Sequence, residues 1–244
     1  MKVRIRFTKK DKMRFVGHLD MMRFFQKAIR RAGLDIAYSE GYNPHQILSF
    51  ASPLGLGMSS DGEYFDAEFN SVYSEDVMLS KLNKEMVSGV EVLSFTKLKD
   101  DKKNNAMASL FAASYTFCFN DEYINKYICG SINELFESFY NNDKILVHKV
   151  TKTNEMDIDI KPLIIEHSIE DNKIKLLLLA GSVNTVKPVL VMDAFLKSFN
   201  NKLSAKDAFV NGEMTINRNN QYTLINDKLI SLSDVGEDLW TKSL

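Results

Sequence analysis

The feature that most constrains this chain is the way its hydrophobic spacing switches along residues 2–98. Val3, Ile5 and Phe7 alternate with Lys2, Arg4 and Arg6, the period of two that gives a strand one dry and one wet face. The wet face of that strand is expected to be cationic. Lys9, Lys10, Asp11 and Lys12 then predict a turn, and residues 13–16 an extension of the strand or a short edge. Over residues 14–33, RFVGHLDMMRFFQKAIRRAG predicts a strand end, a tight turn at Gly17 and an amphipathic helix stopping at Gly33. At 100° per residue Met22, Phe25, Ala28, Ile29 and Ala32 share one side, and Arg23, Lys27, Arg30 and Arg31 fall opposite. Asp20 in the first turn suits the positive end of the helix dipole, and Gly33 suits the left-handed position that ends many helices.

Turn formers then crowd residues 38–65: Gly41, Asn43-Pro44, Pro53, Gly55, Gly57 and Gly62. Between them residues 47–51 predict a buried strand. Residues 64–69 alternate as a strand, 75–87 predict a helix and 90–98 a strand. The order β-α-β-β-α-β is the split βαβ, or ferredoxin-like, pattern. The polar run 100–105 predicts a linker, after which the order recurs. A strand is expected at 114–119, a helix at 132–140, a strand at 145–151, and a strand pair at 156–165 and 173–180. A helix over 186–199 opens with Lys187-Pro188, where proline is tolerated. A strand over 208–216 closes the unit, and a hairpin over 222–232, broken at Asn226-Asp227, leads to a tail with Trp240. The expected fold class is therefore α+β: two tandem ferredoxin-like (βαββαβ) units with mainly antiparallel sheets and a C-terminal hairpin extension. The expected domains are a basic unit, 1–99, and a second unit with the extension, 106–244.

A formal net charge of −1 conceals a division. Residues 1–31 hold eleven Lys or Arg against two Asp, a net of +9, while the remaining 213 residues carry −10. Eleven like charges in 31 residues repel, so an anionic partner is expected to offset them. Arg4 and Arg6 on the first strand, Lys9, Lys10, Lys12 and Arg14 beyond it, and Arg23, Lys27, Arg30 and Arg31 on the helix are expected to converge on one side. Phosphate contacts of that kind give sequence-independent, salt-sensitive affinity. Tyr42, with Asn43 beside it, is the exposed aromatic expected to stack on a base, whereas Tyr38 and Phe50 suit the core better.

Chemistry is more sparsely signalled. His18 and Asp20 stand two apart, and His45 lies 27 residues further on. A histidine moves protons near neutral pH, so His18 or His45, with Asp20, are the candidates for metal-independent RNA cleavage. Nothing in their spacing demands a metal, and no cofactor is expected. Gly55-Leu56-Gly57 after Pro53 suits a turn, and no phosphate-binding glycine fingerprint is present. Cys118 and Cys129 are too few for a disulfide framework or a zinc site. The charged, alternating N-terminus is not a signal peptide. The longest aliphatic run, residues 176–180, is far short of the roughly 20 that span a bilayer. The expected compartment is the cytoplasm, with no membrane contact.

Five short motifs occur in order in the first 70 residues: GHLD at 17–20, RRAG at 30–33, YSEGYNPH at 38–45, SFASPLGLG at 49–57 and GEYFD at 62–66. Together they resemble the radical SAM-linked protein family, bacterial domains fused to, or encoded beside, a radical SAM protein. A looser likeness reaches MDIDIKP at 156–162. The resemblance implies a radical SAM partner. This chain cannot supply that chemistry itself, because the cluster needs three cysteine thiolates and only two cysteines exist. The same segment is similar, more distantly, to the ferredoxin-like repeat-associated RNA-binding proteins of CRISPR systems, some of which are endoribonucleases. That implies RNA rather than another polyanion. The expected function is an RNA-binding or substrate-presenting accessory protein working with a radical SAM partner in tRNA or rRNA modification, more a binding role than an enzymatic one. The alternatives are a metal-independent endoribonuclease using His18 or His45, and an adaptor for a radical SAM enzyme that makes no RNA contact.

Overall fold

Residues 2–97 fold in the expected order, as β1 (Lys2–Lys9), α1 (His18–Arg31), β2 (Leu48–Phe50), β3 (Ser59–Glu68), α2 (Glu75–Asn83) and β4 (Val92–Lys97). The computed structural model describes residues 1–99, 105–128, 130–150, 155–181 and 185–238. Among these the architecture is mixed α+β with mostly antiparallel strands. The chain divides into two compact units, Met1–Phe111 with Arg218–Leu244, and Ala112–Asn217.

In the first unit β1 runs antiparallel to β3 on one side and β4 on the other, and β2 pairs antiparallel with β3. Val3, Ile5 and Phe7 are buried on the face that receives Met21, Phe25, Ala28 and Ile29 of α1. Aromatic rings lock the contact, with Phe7–Phe25 centroids 4.6 Å apart and Phe25–Phe65 4.8 Å apart. Burying each such ring stabilises the fold by about 1.5–3 kcal/mol. α1 ends as its sequence suggests. Gly33 takes φ +63°, and the amides of Gly33 and Leu34 donate back to the carbonyls of Arg30 and Ile29, both at 3.2 Å. α2 stops at Asn83, short of the expected residue 87. The Asn83 amide instead pairs with both backbone groups of Val92 on β4, at 2.8 and 2.9 Å.

Two expectations for the N-terminal strand need correction. Residues 13–16 neither extend β1 nor form an edge, because a 3-10 turn occupies Asp11–Phe15. Nor is the second face of β1 wet. The same unit includes β10 (Met214–Ile225) from Arg218 onward, β11 (Lys228–Ser231) and β12 (Glu237–Asp238), with β10 beside β3, β11 beside β10 and β12 beside β4. The turn at Leu232–Asp234 lies against β1 and β4 and helps enclose that face. Arg4 is 1% exposed in consequence. Asn226 and Asp227 both have positive φ, the two-residue turn that the hairpin expectation required.

After α3 (Ala106–Ser109), the second unit contains β5 (Ala112–Phe119), α4 (Asp121–Tyr127), α5 (Ile132–Tyr140), β6 (Leu146–Val150), β7 (Glu155–Asp159), β8 (Ile164–Glu170), β9 (Lys173–Leu179), α6 (Pro188–Phe199) and α7 (Ala205–Val210). Its strands β5, β9 and β8 pair in that order, and residues 214–217 of β10 also belong to it, while β6 and β7 pair as a separate two-stranded sheet. The single strand expected over 156–165 is thus two strands divided by a 3-10 turn at Lys161–Leu163, where Pro162 removes an amide donor. The strand expected from 208 begins at Met214, since α7 occupies Ala208 and Gly212 turns the chain at φ +76°. α4, which the periodicity did not signal, is capped by the Asn120 side chain accepting from the amide of Tyr123 at 2.8 Å. Of the expected linker only Asn105 is described, and its side chain caps α3. Cys129, Thr151 and Trp240 lie outside the described residues. No helix among the described residues is long and apolar enough to cross a membrane.

Candidate nucleic-acid interface

With its apolar face on the sheet, α1 turns Arg23, Lys27 and Arg30 outward, at i, i+4 and i+7. Opposite them stands the loop 38–46. A bridge between Tyr38 and Gln46 closes its neck, and the Ser39 amide donates to the His45 carbonyl at 2.8 Å. Ser39 Oγ also accepts from the His45 amide at 3.1 Å and lies 2.8 Å from His45 Nδ1. The loop is tied to the helix by Gln46, whose Nε2 donates to the Gln26 carbonyl at 3.1 Å. Tyr42 and Asn43 are exposed at its tip.

Helix and loop enclose a cleft of about 250 Å3 lined by Arg23, Gln26, Lys27, Arg30, Tyr38, His45 and Gln46. Three of these are cations and none is an acid. Arg23 meets Asp20 at 3.3 Å, but both side chains are about two-thirds exposed and such a pair is worth little. Among the described residues no carboxylate pairs with Lys27 or Arg30. Arg31 points elsewhere, to Glu85 at 2.6 Å.

The remaining cations do not join this group as one stripe. Arg4 is ion-paired inside the first unit with Asp66, Nε to Oδ1 at 2.8 Å. Lys9, 3% exposed, donates from Nζ to the Val16 carbonyl at 2.7 Å. Burial pushes its pKa down, Glu63 opposes that shift and Arg218 adds to it. Interior positions withdraw Arg4 and Lys9 from the expected phosphate contacts. Arg6 is half-buried and donates to the Asp61 carbonyl at 3.3 Å, while Lys10 pairs with Asp61 at 2.6 Å. Lys12 is exposed, and the half-buried Arg14 lies 4.7 Å over the Phe15 ring.

The candidate catalytic side chains are not assembled. His18 packs edge-on against Phe50 at 5.2 Å and lines a separate cavity of about 20 Å3 with Lys9 and Glu63. His45 lines the cationic cleft, and the Asp20 carboxylate pairs with Arg23. Among the described residues no three His, Cys, Asp or Glu side chains gather as a metal site. Gly55-Leu56-Gly57 does make a turn, with Met58 donating to the Gly55 carbonyl at 3.2 Å. The Gly57 amide is engaged by the Arg14 carbonyl at 2.9 Å rather than offered to phosphate.

Gln26, Tyr38 and Gln46 belong to the cleft although nothing in their spacing singled them out. Phe50 is core as expected, but Tyr38 is half-exposed. The Tyr38–Gln46 bridge and the Gln46–Gln26 bond are contacts that hydrophobic periodicity does not encode.

Fold and site together define an α+β protein with an acid-free cationic cleft between one helix and one loop. The chain belongs to a bacterial family described as "Uncharacterized protein conserved in bacteria (DUF2344)", which it matches over residues 2–188. That span includes the whole of the cleft and ends before β10. No curated protein matches the chain.

Proposed function

We propose that this protein binds RNA and presents it to a radical SAM partner that modifies tRNA or rRNA. The observation that carries the RNA reading is the cleft holding Arg23, Lys27 and Arg30 with no acidic residue in its lining. Cations on a defined wall beside exposed aromatics are what single-stranded RNA binders use to hold backbone and bases. The partner rests on the GHLD, RRAG, YSEGYNPH, SFASPLGLG and GEYFD motifs, which carry the resemblance to the radical SAM-linked family. A ferredoxin-like identity for each unit forms part of the proposal. Its support is the strand order β4-β1-β3-β2 in the first and β5-β9-β8 in the second, where the start of β10 follows along the chain, with helices between the strands. Filter binding of total bacterial RNA at several salt concentrations tests the RNA reading. Affinity falling steeply with salt is expected; negligible or salt-indifferent binding refutes it.

A second reading, metal-independent RNA cleavage, is favoured by one observation: His45 lines the cationic cleft with Nδ1 held by Ser39 Oγ. A ring oriented in this way is suited to proton transfer next to bound phosphate. Incubating the protein with small structured RNAs in chelator decides it. Cleavage lost in His45→Ala supports this reading, and RNA left intact by the wild-type protein removes it.

A further inference from the structure

The second unit has a groove of about 440 Å3, larger than the cationic cleft and built from other residues. Ile145, Leu146, Val147 and His148 line one side of it. Successive side chains of a strand point to opposite faces, and here Ile145 and Val147 are buried while Leu146 and His148 are exposed. A groove touching all four therefore runs along the edge of β6 rather than over either face. No residue of β7 lines it, so this edge is the one turned away from β7. The other side is α6, which contributes Leu190, Asp193, Ala194, Lys197 and Ser198, one stripe at i, i+3, i+4, i+7 and i+8.

Main-chain groups on that edge are open. The Ile160 amide donates to the Ile145 carbonyl at 2.8 Å, and these two residues continue the β6–β7 register. Bonded and non-bonded pairs alternate in an antiparallel ladder, so Val147 bonds to Ile158, and the N–H and C=O of Leu146 and His148 point outward. Among the described residues those outward groups have no hydrogen-bond partner. An unpaired strand edge is a template for another extended chain, and a nucleic acid has no matching row of amide donors and acceptors. β7, the other edge of the pair, carries the exposed charges of Glu155 and Asp157, which discourage a further strand, whereas β6 presents Leu146. Charge narrows the occupant. Lys197 is paired with Asp193 at 2.6 Å, and His148 with Asp157 at 3.0 Å. Lys144 lines the groove, is exposed, and has no carboxylate partner among the described residues. We infer that this groove docks an extended segment of a protein partner, which adds a third strand beside β6 and sets an acidic residue against Lys144. The inference goes beyond the RNA reading and does not rest on it, since the cationic cleft belongs to the first unit.

The test is a selection of octapeptides from a random displayed library on the full chain, each selected peptide then being titrated by fluorescence anisotropy. Selected peptides are expected to share an acidic residue and to bind Lys144→Glu roughly 3- to 10-fold more weakly. N-methyl groups on alternate residues of a peptide are expected to weaken it about 10-fold in one register and little in the other. One strand edge uses only alternate amides, so the shifted set faces away from β6. Ala194→Arg, which fills the helix side of the groove, is expected to abolish binding with the urea midpoint unchanged. The N-methyl series needs only the wild-type protein, so it decides even where a variant unfolds. No selected peptide, equal weakening in both registers, or affinity indifferent to both variants overturns the inference. A dimer in sedimentation that Ala194→Arg dissociates gives the edge to a second copy of this chain and overturns it too.

Discussion

Arg4 on β1 and Asp66 on β3 stand directly opposite one another, and the guanidinium holds both carboxylate oxygens, at 2.8 and 3.1 Å. Arg4 Nη1 also donates to the Leu232 carbonyl at 3.3 Å, while Asp66 Oδ2 accepts the Ala106 amide at 2.7 Å. One buried pair thus joins four stretches of the first unit. Removing only the cation strands a carboxylate in the interior, so Arg4→Met is expected to cost about 3–5 kcal/mol. Urea denaturation checks this. The double variant Arg4→Met/Asp66→Leu is expected to regain only part of the loss, since it removes the stranded charge but takes from the Ala106 amide and the Leu232 carbonyl the partners they have in this pair.

Lys27 and Arg30 are expected to behave in the opposite way. Each is exposed, so Lys27→Ala and Arg30→Ala are expected to leave stability within about 0.5 kcal/mol of wild type. Each is also expected to reduce the slope of log affinity for single-stranded RNA against log salt by about 0.7, one phosphate contact apiece. Salt titrations of the two variants check the slope; unaltered slopes in both would place the RNA elsewhere.

Tyr123 carries a pH dependence of its own. Its hydroxyl is buried without a partner, and burial, then Glu213 and Tyr127, push its pKa up to about 12 from 10.0. A folded-state pKa above the unfolded one means the native protein holds the proton more tightly. The stability this gives is complete below pH 10 and is lost as pH rises towards 12. Tyr123→Phe is expected to abolish that alkaline loss. At pH 7 it is expected to stabilise the protein by about 1 kcal/mol, because it removes an unsatisfied hydroxyl while keeping the ring that stacks on Phe119. Urea midpoints from pH 7 to pH 11.5, compared between the two proteins, give both results.

Gly89 tests a close backbone approach. It has φ +89°, and a Cβ built there falls 2.5 Å from the Lys10 carbonyl oxygen. The carbonyl of Gly89 in turn accepts the Lys10 amide at 2.7 Å, so neither backbone can retreat without losing a bond. Gly89→Ala is expected to cost on the order of 1–3 kcal/mol. Gly130→Ala shares a positive φ of +113° but meets nothing within 4 Å, and is expected to cost less. Thermal melting of the two variants separates the clash from the conformational strain.

What was legible in the sequence is what short-range physics writes there. The two faces of α1, its end at Gly33 and the hairpin turn at Asn226-Asp227 follow from spacing and local backbone preference. The break at Pro162 was also written there, since a proline argues against one unbroken strand. Alternation tells that a strand has two faces, not that both are covered, and so it misplaces Arg4 and Lys9. The partners that settle the matter lie at Asp66 and Leu232 for one and at Val16 for the other, and no periodicity announces them. Gln46 is silent in the sequence for a related reason: its partner is the Gln26 carbonyl, 20 residues away.

The first unit is discontinuous in the chain, with its last portion beginning at Arg218, and this sets a timetable for biosynthesis. Arg218 holds the Glu63 carboxylate through Nε at 2.7 Å and the Ser52 carbonyl through Nη2 at 2.9 Å. The intervening 106 residues, Ala112–Asn217, must be translated before that arginine exists. At about 5–20 residues per second this takes roughly 5–20 s. A nascent chain therefore carries Glu63 without its arginine, and β3 without its β10 neighbour, throughout the interval. On the ribosome the unit that bears the cleft begins first and finishes last.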